Sequence, residues 1–374
     1  MRVLHLIETT GPGGAETVFV EIAVGLVRRG HTSLPVVHGP GWVADALRSA
    51  GVEPLMIPSG KSPDLAFLAR VDALVRGGVD VIQTHLIGSA ASGSVVGRFR
   101  GVPVVATLHG VNDIGPSSRG RSARLTAIRW GATRAVFVSE SLRRSLNPIM
   151  RVPPSRAAVV HNGIDCDRFT PRRDGEFRRE LGVTGEQILV GGVGNVRPAK
   201  DYATLLRAAA VLAGRSARWR FVVVGDKAEQ EFPLFAQLQS LQQELGLADR
   251  VAFVGFRPDV ERAINGMDVL LCSSSAEGFS LTTCQAMACG VPVVSTRCGG
   301  PEEILTDGTT GLLVDVGEPG QIADAVERVA TDTGLRERLV GAARADVVSR
   351  FSLESMLAAY QQIYSDVVST RAAR

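Results

Sequence analysis

Short runs rich in valine, isoleucine and leucine return along this chain at intervals filled by helical patterns, and the series is played through twice. In the first half the runs are RVLHLIE (2–8), SLPVV (33–37), DVIQTH (80–85), PVVATLH (103–109), AVFVS (135–139) and AAVVHN (157–162), with helices expected over 15–29, 64–76 and 121–132. Runs without polar alternation read as strands buried on both faces, which is how parallel sheets covered by helices are built. After a polar, turn-rich passage, CDRFTPRRDGE (166–176), the pattern restarts with QILVGGVGN (187–195), RFVVVGD (220–226), RVAFVGF (250–256), DVLLCSS (268–274), PVVST (292–296) and GLLV (311–314). Helices are expected between them near 201–214, 230–246, 258–265, 281–289 and 319–333. The expected fold class is α/β, with two doubly wound, Rossmann-like domains over 1–170 and 171–350 facing a central cleft at their carboxyl edges. A length of 374 residues agrees, because single cores stop growing near about 250–300 residues.

The last segment, FSLESMLAAYQQIYSDVV (351–368), sets Leu353, Met356, Leu357, Tyr360, Ile363 and Tyr364 on one helical face. A helix over 352–370 therefore needs a partner surface, on its own domain or back on the first.

Charge is unevenly shared. Residues 1–170 carry 19 Arg or Lys against 12 Asp or Glu, and the remainder 22 against 26. Residues 115–160 hold nine arginines and a single acid, Glu140. That stretch is either a solvated helical face or a surface that meets an anionic membrane or a phosphorylated acceptor. Only Trp130 and Phe137 stand among these arginines, so no nucleic-acid partner is expected. The five cysteines, 166, 272, 284, 289 and 298, show no zinc spacing and read as reduced thiols. With no signal peptide and no apolar stretch of membrane-spanning length, the expected location is the cytoplasm, with peripheral contact to a membrane's inner face left open.

Three glycine-rich loops follow strands and open helices. In GPGGAE (11–16), Gly13 and Gly14 let the backbone approach a ligand while amides at the helix start point toward it, which suits phosphate. A nicotinamide reading fails, because GxGxxG is absent and the strand 33–37 ends in His38 and Gly39 rather than an acid. In GNVRPAKD (194–201), Arg197 and Lys200 sit three apart before a helix, placed to converge on a diphosphate as two charges neutralising a leaving group. In EGFSLTTCQAMACG (277–290), Ser280 reads as an N-cap and Gly290 as the residue closing the helix, so Glu277 lies in the loop just before it. Gln285 follows the cap by five residues, about 7.5 Å along the axis.

These residues resemble the family-4 glycosyltransferases. The likeness runs through GGAE with LVRRGH (26–31), TLHG (107–110), VSESLRRSL (138–146), VVHNGIDCDRF (159–169), the Lys200 loop, EGFSLTTCQAMACGVPVV (277–294) and GGPEEILTDGTTGLLV (299–314). It implies the GT-B fold and a retaining, metal-independent transfer of sugar from a nucleotide diphosphate donor, UDP- or GDP-linked, with no cofactor. Polysaccharide, glycolipid or other glycoconjugate synthesis is the implied setting, with an acceptor glycan, glycolipid or small molecule as the second partner. By the same resemblance Glu277 binds donor-sugar hydroxyls, and Gly278 with the amides of Phe279, Ser280 and Leu281 holds the donor. Gln285 contacts the ribose, Arg197 and Lys200 stabilise the departing diphosphate with help from the Gly13 and Gly14 amides, and His109 lines the reaction centre.

The chain departs from the family at three positions. A second glutamate is usual where Gln285 stands, an arginine where Asn195 stands, and a glycine where Ser280 stands. Losing a charge-assisted bond to ribose costs on the order of 1 kcal/mol, about fivefold in affinity, while an amide oxygen still accepts from a hydroxyl. Asp165 and Asp167 form a DxD that reads as a turn brace rather than a metal site, and His85 ends a strand on the same edge as His109. Two other readings stay open, a catalytically silent nucleotide-sugar-binding subunit and a sugar-nucleotide epimerase.

Overall fold

The structure, a computed structural model, describes residues 1–60, 64–110, 119–172, 175–227 and 229–372. The chain divides into two compact units, Met1–Gly163 with the C-terminal helix, and Ile164–Ser352. The division falls seven residues before the expected 170/171, because Ile164 donates its amide to the Phe351 carbonyl at 2.9 Å and so ties the start of the second unit to its end.

The first unit is a parallel sheet of β1 (Arg2–Ile7), β2 (Thr32–Val37), β3 (Leu55–Met56), β4 (Val81–His85), β5 (Val104–Leu108), β6 (Arg134–Phe137) and β7 (Ala157–Val159), in the order β3-β2-β1-β4-β5-β6-β7. The second unit adds β8 (Ile188–Val193), β9 (Trp219–Val224), β10 (Val251–Gly255), β11 (Val269–Cys272), β12 (Val293–Thr296) and β13 (Leu312–Val314), in the order β10-β9-β8-β11-β12-β13. In each sheet the order reverses beside the first strand, so the loops after β1 and β4, and after β8 and β11, leave the carboxyl edge side by side. β4 and β5 are buried at every residue, as strands covered on both faces must be.

The two-residue β3 is too short to register as a periodic run. Helix Ile87–Arg100 (IGSAASGSVVGRFR) carries small residues where an amphipathic pattern would show large ones, for a packing reason. A β-carbon on Gly97 would stand 2.2 Å from Val104 Cγ2, and one on Gly93 would stand 2.6 Å from Thr84 Cγ2, so this helix lies directly on the sheet. The stretch 319–333 is the helix Pro319–Thr331 and the start of a second, Thr333–Arg350, separated at Asp332, whose carboxylate caps the second by accepting from the Leu335 amide at 2.9 Å.

The helix Leu353–Ala372 completes the first unit. Tyr360 and Tyr364 are fully buried, their hydroxyls meeting Thr107 Oγ1 and Gln83 Oε1 at 3.0 Å each. Leu357 fills the space beside Gly25, where any side chain would collide with it. Among the described residues no helix is long and apolar enough to cross a membrane.

Candidate active site

The loops after β8 and β11 are laced together. The chain leaves β8 at Gly194 with φ +149°, where a β-carbon would stand 2.5 Å from Lys200 Cε, so glycine admits the lysine side chain against the backbone. A single 3-10 turn, Pro198–Lys200, carries Lys200 round, and Asp201 caps the helix Tyr202–Arg215, its carboxylate accepting from Thr204. From the other loop the Ser275 amide donates to the Ala199 carbonyl at 2.8 Å and Ser273 Oγ to the Lys200 carbonyl at 3.0 Å.

This lacing delivers Lys200 Nζ to 2.7 Å from Glu277 Oε1, which also accepts from Ser274 Oγ at 2.7 Å. Both partners are mostly buried. Desolvation works against the charge on Lys200, but the adjoining carboxylate outweighs it and holds the ammonium above the usual lysine range. Glu277 is fixed by its backbone as well, its amide donating to Cys298 O and its carbonyl accepting from the Gly300 amide, each at 2.9 Å. Gly300 is needed there, since a β-carbon would come within 2.6 Å of Phe279 Cα.

Helix Leu281–Cys289 begins three residues beyond Gly278, with Gly290 closing it in the left-handed conformation. Ser280 occupies the N-cap position without capping: its hydroxyl accepts from Thr283 Oγ1 at 2.9 Å instead of from a backbone amide. First-turn amides such as that of Leu281 have no carbonyl one turn back. Gln285 sits on the next turn, 9% exposed, and its side chain makes no hydrogen bond among the described residues. Arg197 is exposed and its guanidinium has no partner among them, so Lys200 and Glu277 are brought together while Arg197 and Gln285 are not joined to them. Asn195, where the family's arginine would fall, accepts from the Asp226 amide at 3.0 Å and braces the turn.

In the first unit, β4 and β5 end on two histidines. His85 Nδ1 lies 2.9 Å from His109 Nε2, and the rings stack at 5.1 Å. Gln83 donates to Thr107 Oγ1 at 2.8 Å and lies 3.2 Å from His85 Nε2, while its own oxygen accepts from Tyr364. An amide nitrogen can only donate, so His85 accepts at Nε2, donates from Nδ1 to His109 Nε2, and thereby places the His109 proton on Nδ1. Desolvation pushes His109 down to about 3, and desolvation followed by the neighbouring His109 and His5 pushes His85 well below its ordinary value, so both rings are neutral near pH 7.

Residues 12–168 match the family model Glycosyltransferase Family 4, and residues 174–346 match Glycosyl transferases group 1. The D-inositol 3-phosphate glycosyltransferase of Actinosynnema mirum is 31% identical, over 95% of this chain and 93% of that protein. This chain belongs to the family-4 glycosyltransferases. The N-acetyl-alpha-D-glucosaminyl L-malate synthase of Bacillus anthracis is 27% identical over 95% of this chain and 94% of its own length. The solved structure of Anabaena Alr3699/HepE in complex with UDP and glucose superposes with a TM-score of 0.89 over 98% of this chain and 100% of that one, at 23% identity, and the fold is GT-B.

This glycosyltransferase holds acids that reading its sequence passed over. Gly13 precedes the helix Gly14–Arg28, and the space beside it is filled by the carboxylate of Glu16, 2.2 Å from where a β-carbon would stand and accepting from Thr9 Oγ1 at 2.5 Å. The amides of Gly13 and Gly14 therefore have an acid folded beside them. Glu8, just past β1, accepts from the Gly88 amide at 3.0 Å, and desolvation raises its pKa. The DxD is divided: Asp165 Oδ1 accepts from the amides of Asp167 and Arg168 at 3.0 Å each, so Asp165 is the turn brace. Residues 115–118 of the arginine-rich stretch lie outside the described residues.

Proposed function

We propose that this enzyme transfers a sugar, with retention and without a metal, from a UDP-linked donor to a hydroxyl of an acceptor glycan, glycolipid or small molecule in the cytoplasm. The Lys200–Glu277 pair carries this reading. Placed before the helix at 281, it offers a carboxylate to sugar hydroxyls next to an ammonium and a run of amides suited to a diphosphate. Lys200 spends one of its three N–H donors on Glu277, leaving two for phosphate oxygens. The UDP in the solved Alr3699/HepE complex supports the choice of base, and GDP is the second choice. The inositol phosphate and malate named for two relatives support an acceptor carrying negative charge as well as a hydroxyl. A retaining route without an enzymic nucleophile has the leaving diphosphate take the acceptor's proton while Lys200, Arg197 and helix amides hold its charge.

A thermal-shift panel of UDP-, GDP-, ADP- and dTDP-sugars tests the donor: at about a hundred times Kd the true donor adds roughly 2.7 kcal/mol, and a flat response across the panel refutes a nucleotide-sugar site. Restoring the family's acid by Gln285→Glu is expected to tighten UDP binding about fivefold by calorimetry, since the carboxylate makes charge-assisted bonds to ribose. Weaker binding in that variant would show a site adapted to the amide.

A further inference from the structure

We propose that the face formed by the C-terminal ends of helices Ile87–Arg100, Arg119–Gly131 and Glu140–Met150 docks the protein on an anionic lipid bilayer. Gly131 lies against Ser94, where a β-carbon would come within 2.1 Å of the Ser94 carbonyl oxygen, so the end of the second helix packs closely on the middle of the first. That contact sets Trp130 edge-on to Phe99 at 5.4 Å, and neither ring is covered: Phe99 is 75% exposed and Trp130 48%. The Arg98 guanidinium lies 5.2 Å from the centre of the Trp130 ring.

Adjoining this pair, Arg129 lines a cavity of about 300 Å³ with Arg121 and Arg151 above an apolar lining of Leu125, Pro148 and Ile149. Ile149 is itself 43% exposed. Guanidiniums around an apolar hollow match a lipid phosphate with the start of its acyl chains, and flanking aromatic rings match the interfacial layer in which Trp and Phe settle.

Charge selects the partner. Arg98, Arg129 and Arg151 stand at these helix ends and Arg121 joins the last two around the cavity, with no acid in its lining, while Arg100 beside them is paired with Asp72. Two copies meeting through this face would set arginine against arginine, so self-association is disfavoured, whereas a phosphate-dense surface is complementary. Phe99 and Trp130, next to the starts of β5 and β6, stand at the edge of the sheet opposite the one where β5 ends and His109 follows.

The test is co-sedimentation of the full chain with vesicles of phosphatidylcholine alone or with 30% phosphatidylglycerol added. Binding is expected only with phosphatidylglycerol, weakening from low to physiological salt, with a blue shift in tryptophan emission that Trp130→Phe abolishes. Arg121→Ala/Arg129→Ala/Arg151→Ala is expected to weaken binding about a hundredfold. Phe99→Ser/Trp130→Ser, exposed changes that should preserve the melting temperature, is expected to leave only binding that salt removes completely. The proposal is overturned if the wild type ignores phosphatidylglycerol vesicles at low salt, or if both variants bind as it does. It is equally overturned if the face instead binds an oligonucleotide or a second copy while vesicles go unbound.

Discussion

Lys200→Ala is expected to lower kcat/KM for the UDP-sugar by two to three orders of magnitude, the usual consequence of removing one preorganised partner of developing charge. The ammonium stands where the loops after β8 and β11 meet, 2.7 Å from Glu277 Oε1, so under the proposed function its loss strips charge from the diphosphate side and loosens the acid on the sugar side. Glu277→Ala has a second consequence, since it strands a mostly buried ammonium whose charge the carboxylate sustains. Breaking one side of a buried pair costs about 3–5 kcal/mol, and the residual exposure of both groups puts this one at the lower end, near 3 kcal/mol. For a unit of this size that is a fall in Tm of roughly 6–12 °C. Removing both partners together leaves no stranded charge, so Lys200→Ala/Glu277→Ala should melt above Glu277→Ala alone while remaining inactive. Activity within a few-fold of wild type in either single variant would refute the assignment of the site. A double variant melting below both singles would refute the pairing.

The placing of Lys200 and Glu277 in short loops between strand and helix is legible from the strand runs and glycines that flank them, while the roles given to them come from the family resemblance. Their direct contact was not legible, since it depends on Ser273 and Ser275 lacing one loop to the other across 77 residues of chain. The strands were legible because burial on both faces leaves β-branched runs, whereas helix Ile87–Arg100 was not: close packing on the sheet replaces its large apolar residues with glycine, alanine and serine. Ser280 shows the limit of reading a cap from residue type, because a neighbouring hydroxyl, Thr283, takes the place of the backbone donor. Glu16 is hidden for the same kind of reason. Its place as the last residue of the glycine-rich GPGGAE suggests a helix acid, and only the fold shows the carboxylate turned back against Gly13.

Acid should unfold the first unit through its buried imidazoles. His5 and His85 are fully buried, desolvation pushes His5 down to about 3 and His85 well below 6.5, and His5 Nδ1 has no hydrogen-bond partner among the described residues. A histidine whose folded pKa is depressed keeps its full contribution above the unfolded value of 6.5 and loses it as pH falls from there toward the folded value, because only the unfolded chain takes up the proton. Each such group costs about 1.4 kcal/mol per pH unit below 6.5, so at pH 5 the two together remove about 4 kcal/mol. Against a typical total of about 5–15 kcal/mol that is a large fraction, and the half-buried His109 adds to it in the same direction. Urea unfolding followed by near-UV circular dichroism should show the midpoint dropping steeply between pH 6.5 and 5, and His5→Leu, which removes one of these three rings, should flatten that slope by about a third. A midpoint independent of pH over that range, or a slope unchanged in His5→Leu, would exclude these rings as the cause. Because His109 stays neutral far below pH 5, any activity lost between pH 6.5 and 5 should follow the unfolded fraction, and a loss of kcat that precedes unfolding would place the titrating group elsewhere.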